Sequence, residues 1–421
     1  MDMIYDFCFL YHPHPYEVDP NSQIGLGLLS LATYAKSLGA SVKVINAQGV
    51  DVPYALAQIP KCKNLMLYGC LTDAPVLNEI CKGVHQCHHL IRPNIYIGGP
   101  IAKSPYSLYL PSINAWVDGP GEDFVYFIYC GKEFNGNVTI IRLLKNINEY
   151  PFPDRSLLEG NTGGNIFKKS KCEVSTTLMT SRGCQFNCAF CSSGNNSFFQ
   201  TYDVSRIEKE LEHCLSLEIK NFRISDDNFM GNEKKLITLC QLFKEAKITW
   251  RASTRTLPND SWIYRMMVES GCKELSFGIE SGDQTVLDKL GKKTKIHHNT
   301  QAVQNANQAG VEVTRALLMM GSPGETKKTL QRNIEWVNEA QPTIVSLKMF
   351  VPYPGTAIHD NSNKYNCKLF PIEDANFFAY RPDGSTIKAH IETTDMTREE
   401  LTDQFHFMRH YLEKKGVENR G

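Results

Sequence analysis

Hydrophobic and polar positions alternate along the first 130 residues in a pattern that predicts strands separated by helices. Residues with apolar side chains recur at helical spacing from Leu28 to Leu38, and this helix is expected to end at Gly39. Short runs of apolar and β-branched residues predict five strands, at Tyr5–Leu10, Val42–Ile45, Leu65–Tyr68, Ile95–Ile97 and Ala115–Val117. Such βα alternation is typical of an α/β fold with a doubly wound parallel sheet.

A second alternation begins near residue 173 and predicts six βα units. Its strand-like runs are Ser175–Met179, Asn221–Ile224, Ile248–Ala252, Glu274–Phe277, Glu312–Leu318 and Ile344–Met349. Amphipathic helical patterns separate them, for example the helix that starts near Thr326 and stops before Pro342. Six such units indicate a partial, open (β/α)6 barrel, whose active site is expected on the loops that follow the strands.

Loop signals and one further helix divide the rest of the chain. Pro151–Pro153 and Gly160–Gly164 predict a linker, and residues 397–414 predict an amphipathic helix within a small helical C-terminal region. The predicted boundaries are 1–135 for the first domain, 136–172 for the linker, 173–356 for the barrel and 357–421 for the C-terminal region.

Composition excludes several classes of protein. Lys plus Arg and Asp plus Glu are equal at 45 each, and there is no dense basic run, so we expect no nucleic-acid partner. No apolar stretch approaches the roughly 20 residues that span a bilayer, and the N-terminus lacks the basic region of a signal peptide. The expectation is a cytoplasmic protein without a membrane span.

Three closely spaced cysteines follow the first barrel strand. Cys184, Cys188 and Cys191 have the spacing C-x3-C-x2-C, and thiolates are the usual protein ligands of iron–sulfur clusters. Three thiolates on one loop suit a [4Fe–4S] cluster whose fourth iron stays open to another ligand. A structural zinc site would need a fourth ligand, and the next cysteine, Cys214, lies on a predicted helix. If a fourth ligand comes from elsewhere in the chain, the alternative is a zinc-stabilised binding protein without enzymatic activity.

A second set of metal-binding residue types lies in the first domain. Cys81, Cys87, His88 and His89 fall on a predicted helix and its end. These residue types could imitate a metal site, but because they fall on a helix and its end we interpret them as ordinary residues of that segment.

The cysteine motif, with the aromatic Phe190 before its last cysteine, resembles that of the radical S-adenosylmethionine (SAM) superfamily. The resemblance implies that the open iron chelates SAM, with Phe190 beside it, and that reduction yields methionine and a 5′-deoxyadenosyl radical. It also implies an external reductant such as flavodoxin or ferredoxin.

Later segments resemble the SAM-binding strand ends of the same superfamily. Asp226 and Asp227 look like the Asp-Asp form of the site for the methionine amino group, found in the subgroup that includes the bacteriochlorophyll ring-forming cyclase. Glu280 and Ser281 correspond to the ribose site. The segments Gly321–Thr326 and Val351–Thr356 follow the fifth and sixth strands, the latter near the adenine contacts.

These polar residues also have structural interpretations. Arg255 and Arg315 are each expected either to pair with the SAM carboxylate or to form a structural ion pair. Either Asp226 or Asp227 is alternatively a helix N-cap.

The first domain resembles the Rossmann-like cobalamin-binding domain that precedes the radical SAM barrel in one large subgroup. The matching pieces are Pro20 with Gly25-Leu26, Gly98-Gly99-Pro100 and Asp118–Glu122. The resemblance implies cobalamin contacts at Thr72, Gly98 and Gly99. The usual lower-ligand motif DxHxxG is missing, as in many members of this subgroup. The alternative is that the glycines merely close tight βα turns.

Together these patterns predict a radical SAM enzyme, with cobalamin-dependent methyl transfer to an unactivated carbon of a small molecule or peptide as the leading function. A SAM-only dehydratase, epimerase or cyclase with a vestigial cobalamin domain is the main alternative. A methylthiotransferase fits less well, because that family requires three cluster cysteines in its first domain. The sequence identifies neither the substrate nor a catalytic acid or base.

Overall fold

The computed structural model describes residues 3–13, 25–87, 92–103, 113–140, 143, 145–158, 168–169, 173–193, 199–371, 387–416 and 418–419. Pro20, His88, His89 and Gly160–Gly164, which the sequence patterns use, lie outside these residues. The chain divides into two compact units, Met1–Thr177 with Ser205–Ile219, and Leu178–Val204 with Lys220–Gly421.

The first unit contains a six-stranded sheet and its helices. Its elements are β1 Tyr5–Tyr11, α1 Leu26–Ser37, β2 Val42–Asn46, α2 Val52–Gln58, β3 Cys62–Tyr68, α3 Ala74–Cys87, β4 Asn94–Gly98, β5 Ala115–Asp118, α4 Gly121–Tyr129, β6 Gly136–Thr139, β7 Lys168–Lys169 and β8 Glu173–Leu178, whose last residue belongs to the second unit. Helix α5, Val204–Ser216, also belongs to this unit from Ser205 onward.

The sheet has the order β2-β1-β3-β4-β5-β6, and its pairs are all parallel. Both faces are covered. Leu65, on one face, lies in a core cluster with Ile80 of α3, and Tyr96 on the other face meets Phe124 of α4 edge to face, with ring centroids 5.0 Å apart. The prediction of a doubly wound parallel sheet is therefore confirmed. Strand β6 was not predicted, because its sequence GNVT is polar and its residues are mostly exposed.

The second unit contains strands β11 to β15 and β18 of the larger sheet, together with the C-terminal region. Its elements are β9 Ser181–Arg182, β10 Gln200–Thr201, β11 Asn221–Ile224, α6 Glu233–Glu245, β12 Thr249–Thr254, α7 Ser261–Glu269, β13 Cys272–Glu280, α8 Gln284–Lys289, α9 Ile296–Ala309, β14 Val313–Met320, α10 Lys327–Ala340, β15 Ile344–Met349, α11 Ala357–Asp360, β16 Cys367–Leu369, β17 Ile391–Thr393, α12 Arg398–Lys414 and β18 Glu418–Asn419.

The larger sheet has the order β18-β15-β14-β13-β12-β11-β8-β7, so the six predicted barrel strands lie in chain order. The pairs from β11 to β15 are parallel. Burial alternates along β12 and β14. The buried face of β12 presents Trp250 to Phe243 of α6, with ring centroids 5.7 Å apart. This arrangement confirms the predicted open (β/α)6 array.

The predicted C-terminal helix is α12. Thr397 caps it by accepting from the N–H of Glu400, and the Glu400 carboxylate accepts from the N–H of Thr397 in return. Leu401, Phe405 and Met408 form its buried face. In the part of the chain that the structure describes, no helix is both long and apolar enough to cross a membrane.

Candidate functional site

The three motif cysteines lie on one loop directly after β8 and β9. Cys188 is buried, whereas Cys184 and Cys191 are half-buried. The N–H of Cys191 donates to the Cys188 carbonyl over 3.1 Å, which closes the turn between them. Gly183 has φ 75°, a left-handed conformation that glycine adopts without strain. All three thiols are free of disulfides.

The environment of these thiols suits cluster ligands. Burial raises the pKa of Cys184, and the nearby Asp227 carboxylate adds to the shift, so the unliganded thiol stays protonated at neutral pH. An iron ion would displace that proton. Among the described residues, no three Cys, His, Asp or Glu side chains converge on a single metal position. This is compatible with a cubane, since each thiolate there binds a different iron.

Asp226 supports the base of the cysteine loop. Its carboxylate accepts hydrogen bonds from the Thr180 N–H (2.7 Å), the Thr180 hydroxyl (2.6 Å) and the Ser181 hydroxyl (2.7 Å). Burial raises the pKa of Asp226, and these bonds lower it. Asp226 thus has a loop-bracing role, and the N-cap interpretation is wrong for both carboxylates because Asn232 caps α6.

Asp227 has different surroundings. It is exposed and accepts one long hydrogen bond, from the Ser193 hydroxyl at 3.3 Å. Although the residue is exposed, protein around its carboxyl group raises its pKa by desolvation, and Asp226 adds to this. Of the two adjacent carboxylates, Asp227 is the one with capacity left for an ammonium group.

Lys235 of α6 is a site residue that sequence reasoning missed. Its ammonium donates to the carbonyls of Thr180 (2.5 Å) and Tyr202 (2.7 Å), and so ties both sides of the β9–β10 hairpin to α6. Burial lowers the pKa of Lys235 to about 8, against the opposing effect of Asp226. No sequence signal distinguishes it from the exposed lysine beside it on the same helix.

Arg255, after β12, lies against the cysteine loop. Its guanidinium donates to the Cys188 sulfur over 3.2 Å and stacks on the Phe186 ring at 4.0 Å. It also donates to the Lys292 carbonyl. Asn228 accepts from the Arg255 N–H at 3.1 Å and thereby fixes its backbone. The structure therefore places a cation beside a cluster-ligand candidate, and pairing of Arg255 with the SAM carboxylate remains a prediction.

Glu280 ends β13 at a register irregularity and has φ 66°. Its carboxylate accepts from the Lys292 ammonium at 2.6 Å, and that ammonium lies 5.9 Å from the centre of the Phe190 ring. The ion pair with Lys292 places Glu280 near Phe190 of the cysteine loop. The contact of Glu280 with the SAM ribose remains a prediction. Lys292 was missed because nothing in its local sequence marks it as buried.

Ser281 and Arg315 are engaged within the unit itself. The Ser281 hydroxyl donates to Asn333 at 3.2 Å and is buried. Arg315 is the third residue of the eight-residue β14, and its Nε donates to Glu274 at 2.8 Å. It thus forms the ion pair that was one of its two predicted roles, and contact with SAM remains a prediction.

Backbone hydrogen bonds from later parts of the chain hold the cysteine loop. The Ala189 N–H donates to the Leu290 carbonyl at 2.9 Å, and the Ala189 carbonyl accepts from Ile358 at 3.1 Å. Thr326 caps α10. Burial raises the pKa of Glu325 to about 7, although the N–H of Ser322 donates to its carboxylate.

The carboxyl edge of the first sheet contains the predicted cobalamin contacts. Gly99 has φ 94°, and a Cβ there would lie 2.7 Å from the Gly69 carbonyl oxygen, so tight turn packing alone requires this glycine. At Gly98 a Cβ would meet only the Val117 carbonyl oxygen, at 3.7 Å. Thr72 lies half-buried in the turn after β3.

The other cysteine candidates fit buried structural positions. Cys81 is fully buried on α3, and burial raises its pKa to about 12, as expected for an inert thiol. Cys214 is fully buried on α5, and burial likewise raises its pKa to about 12.

Comparisons with known proteins agree with this site. Residues 178–337 match the radical SAM superfamily. An uncharacterized methyltransferase of Pyrococcus horikoshii is 27% identical over 82% of this chain and 79% of its own length. The anaerobic magnesium-protoporphyrin IX monomethyl ester cyclase of Cereibacter sphaeroides is 25% identical over 55% of this chain, but only 38% of its own length.

Two solved structures have a similar fold. The radical SAM methyltransferase TsrM of Kitasatospora setae, with cobalamin and a [4Fe–4S] cluster bound, has a TM-score of 0.66, with 14% identity over 88% of this chain and 81% of its own. The cobalamin-dependent SAM radical enzyme OxsB has a TM-score of 0.65, with 17% identity over 99% of this chain and 62% of its own. Residues 178–337, which include the loop with the three cysteines, thus match the radical SAM superfamily.

Proposed function

We propose that the protein is a cobalamin-dependent radical SAM methyltransferase that acts on an unactivated carbon of a small molecule or peptide. The observation that carries the radical chemistry is the loop with Cys184, Cys188 and Cys191. Asp226 and Lys235 hold the start of this loop through hydrogen bonds with Thr180. A [4Fe–4S] cluster bound there would supply the electron that cleaves SAM to a 5′-deoxyadenosyl radical.

The chain's own residues would bind and orient SAM. Asp227 would accept from the ammonium group of the methionine part, and Arg255 would pair with its carboxylate. Glu280, held by Lys292, would accept from the ribose hydroxyls. These assignments set a carboxylate against the α-ammonium group of the methionine moiety and a guanidinium against its α-carboxylate.

Cobalamin is proposed for the edge of the first sheet formed by Thr72, Gly98 and Gly99. Three features support it: the loose surroundings of Gly98, where a Cβ would meet only the Val117 carbonyl oxygen at 3.7 Å, the exposed Tyr68 ring on the neighbouring strand, and the likeness in fold to cobalamin-bound proteins. Cobalamin, when bound, would carry the methyl group. Methyl transfer is also supported by the names of relatives, such as the bacteriochlorophyllide d C-8(2)-methyltransferase of Chlorobaculum tepidum.

The test is anaerobic reconstitution with iron, sulfide and hydroxocobalamin, followed by desalting. We expect an iron–sulfur absorption band, a retained corrin band, and 5′-deoxyadenosine from SAM under dithionite. Cys188→Ala should lose the cluster and this product, whereas Cys81→Ala, a buried cysteine of the other unit, should keep both.

The outcomes separate the alternatives. A Cys188→Ala protein that still forms 5′-deoxyadenosine would contradict the cluster assignment, and bound zinc without iron would favour the binding-protein alternative. Robust SAM cleavage without any retained corrin would instead favour a SAM-only dehydratase, epimerase or cyclase.

A further inference from the structure

Basic side chains recur on one face of the larger sheet, on four of its strands. Arg223 of β11 lies opposite Arg251 of β12 in register, and Arg251 lies opposite Glu274 of β13. Arg315 of β14 lies opposite Ser276, two residues after Glu274, and Lys348 of β15 lies opposite Met319. Since side chains alternate between faces along a strand and match across a parallel pair, these residues share one face.

This face is opposite the one that packs on the helices. The neighbours of Arg251 and Ser276 along their strands, Trp250 and Phe277, point to the helix layer, where Phe277 meets Tyr264 of α7 with ring centroids 6.1 Å apart. The basic residues therefore lie on the inner face of the partial barrel. Arg223, Arg251, Glu274, Arg315 and Lys348 are here called the cationic barrel face.

Positive charge exceeds negative charge on this face. Glu274 pairs with both Arg315 (2.8 Å) and Arg251 (3.9 Å). Among the described side chains of β11 to β15, the remaining inner carboxylate, Glu280, is neutralised by Lys292. Arg251 and Arg315 thus share one carboxylate, and Lys348 adds a third positive charge to the described residues of this face. Such an excess of like charge in a concavity attracts anions.

The face remains open to a ligand. The Arg251 side chain is 30% exposed, and those of Glu274 and Arg315 are each 15% exposed. Lys348 is exposed. Although solvent reaches this residue, desolvation of its ammonium and then the charge of Arg315 lower the pKa of Lys348, which indicates that the two cations interact.

We infer that the cationic barrel face binds an oxyanion group of the substrate, a carboxylate or a phosphoryl group. Guanidinium groups offer paired donors to either oxyanion, and the hydroxyls of Ser253 and Ser276 lie on the same face. The inference rests on the proposed function, because it assigns the chemistry of the substrate that the radical would attack.

The experiment titrates the full-length, cluster-reconstituted protein with inorganic phosphate and, separately, with succinate, by calorimetry at constant ionic strength. We expect saturable binding of one or both probes. Binding of phosphate alone identifies a phosphoryl site, binding of succinate alone a carboxylate site, and binding of both a general oxyanion site. Saturable binding of neither probe would overturn the proposal.

Three charge-changing variants locate the binding. Lys348→Gln should weaken it about tenfold, because one charged hydrogen bond is lost. Glu274→Gln should strengthen it, because Arg251 and Arg315 lose their competing carboxylate. The control is Lys273→Gln, which removes an exposed cation that pairs with Glu312, and it should leave affinity unchanged.

Equal weakening by Lys348→Gln and Lys273→Gln would show that only net charge matters and would overturn the site. If Lys348→Gln fails to fold, Glu274→Gln still tests the proposal. A gain in affinity for the probe supports the site, whereas unchanged affinity would mean that Glu274 has a purely structural role and would contradict it. Iron content and 5′-deoxyadenosine formation, measured on the same samples, reveal whether the proposed radical function has failed separately.

Discussion

Asp226 and Asp227 are adjacent in sequence but have different contacts. Asp226 is buried and accepts three short hydrogen bonds from Thr180 and Ser181, whereas Asp227 is exposed and accepts one long bond. Hydrogen bonds to a charged group contribute about 1.5–3 kcal/mol each. Asp226 therefore stabilises the cysteine loop, and Asp227 is the better candidate for the SAM ammonium.

The two variants Asp226→Asn and Asp227→Asn separate these roles. We expect Asp226→Asn to lower the iron content after reconstitution, because the amide cannot accept all three bonds. Asp227→Asn should keep its cluster and bind SAM about tenfold more weakly, as loss of one charged bond implies. Iron analysis and SAM calorimetry on both proteins are the measurements. Equal iron loss in both variants would contradict the division of roles.

At the same scale, sequence predicted the residues that form motifs and missed those defined by contact. Cys184, Cys188 and Cys191 were found because their spacing is itself the signal. Lys235 and Lys292 were not, because a lysine that donates to distant backbone or to Glu280 looks in sequence like any surface lysine. Their roles appear only once the strands bring separate loops together.

At the scale of elements, the turn after β4 contains two adjacent glycines with different surroundings. Gly99 has a left-handed φ, and its missing Cβ makes room for the Gly69 carbonyl oxygen and the Tyr68 ring. At Gly98 a Cβ would make only an ordinary contact. Both glycines were predicted as cobalamin contacts, yet only Gly98 lacks a packing reason to be glycine.

We expect Gly98→Leu to fold and bind iron like the unaltered protein but to lose the corrin band after desalting. Gly99→Ala should instead destabilise the first unit by about 1–3 kcal/mol, because alanine at this φ is strained and its Cβ overlaps the carbonyl. Denaturant unfolding and corrin absorbance distinguish the two effects. A Gly98→Leu protein that retains the corrin would place cobalamin elsewhere.

Helices and strands were predictable where the pattern of apolar residues in the sequence matches the buried face of the element. The six barrel strands were all found, since their apolar runs face a helix layer. Strand β6 was missed because GNVT lies exposed at the sheet edge and buries little apolar surface. Helix α12 was found because its apolar stripe is local in sequence.

At the scale of the whole molecule, sequence predicted fold class better than long-range polar contacts. The cationic barrel face joins residues more than a hundred positions apart, and strand register alone brings them together. The same applies to Arg155, in a stretch interpreted as linker. It is buried and donates to the Pro153 and Thr177 carbonyls and to Glu210 of α5.

The buried ion pair between Arg155 and Glu210 is a long-range polar contact whose contribution to stability can be measured. Their side chains are 0% and 2% exposed, and the ion pair is 2.7 Å long. Among the described residues, Arg155→Leu leaves the buried Glu210 carboxylate with Arg206, 3.4 Å away, as its cationic neighbour. We therefore expect the first unit to lose about 3–5 kcal/mol of unfolding free energy.

The double variant Arg155→Leu/Glu210→Leu removes both charges and should lose less than Arg155→Leu alone, because no uncompensated buried charge remains. Denaturant unfolding followed by circular dichroism measures both variants. Lys244→Leu, which breaks an exposed pair with Glu269, is the control and should change stability by less than about 1 kcal/mol. A double variant at least as unstable as Arg155→Leu would mean that the hydrogen bonds of Arg155 to the Pro153 and Thr177 carbonyls, rather than its charge pairing, hold this part of the first unit together.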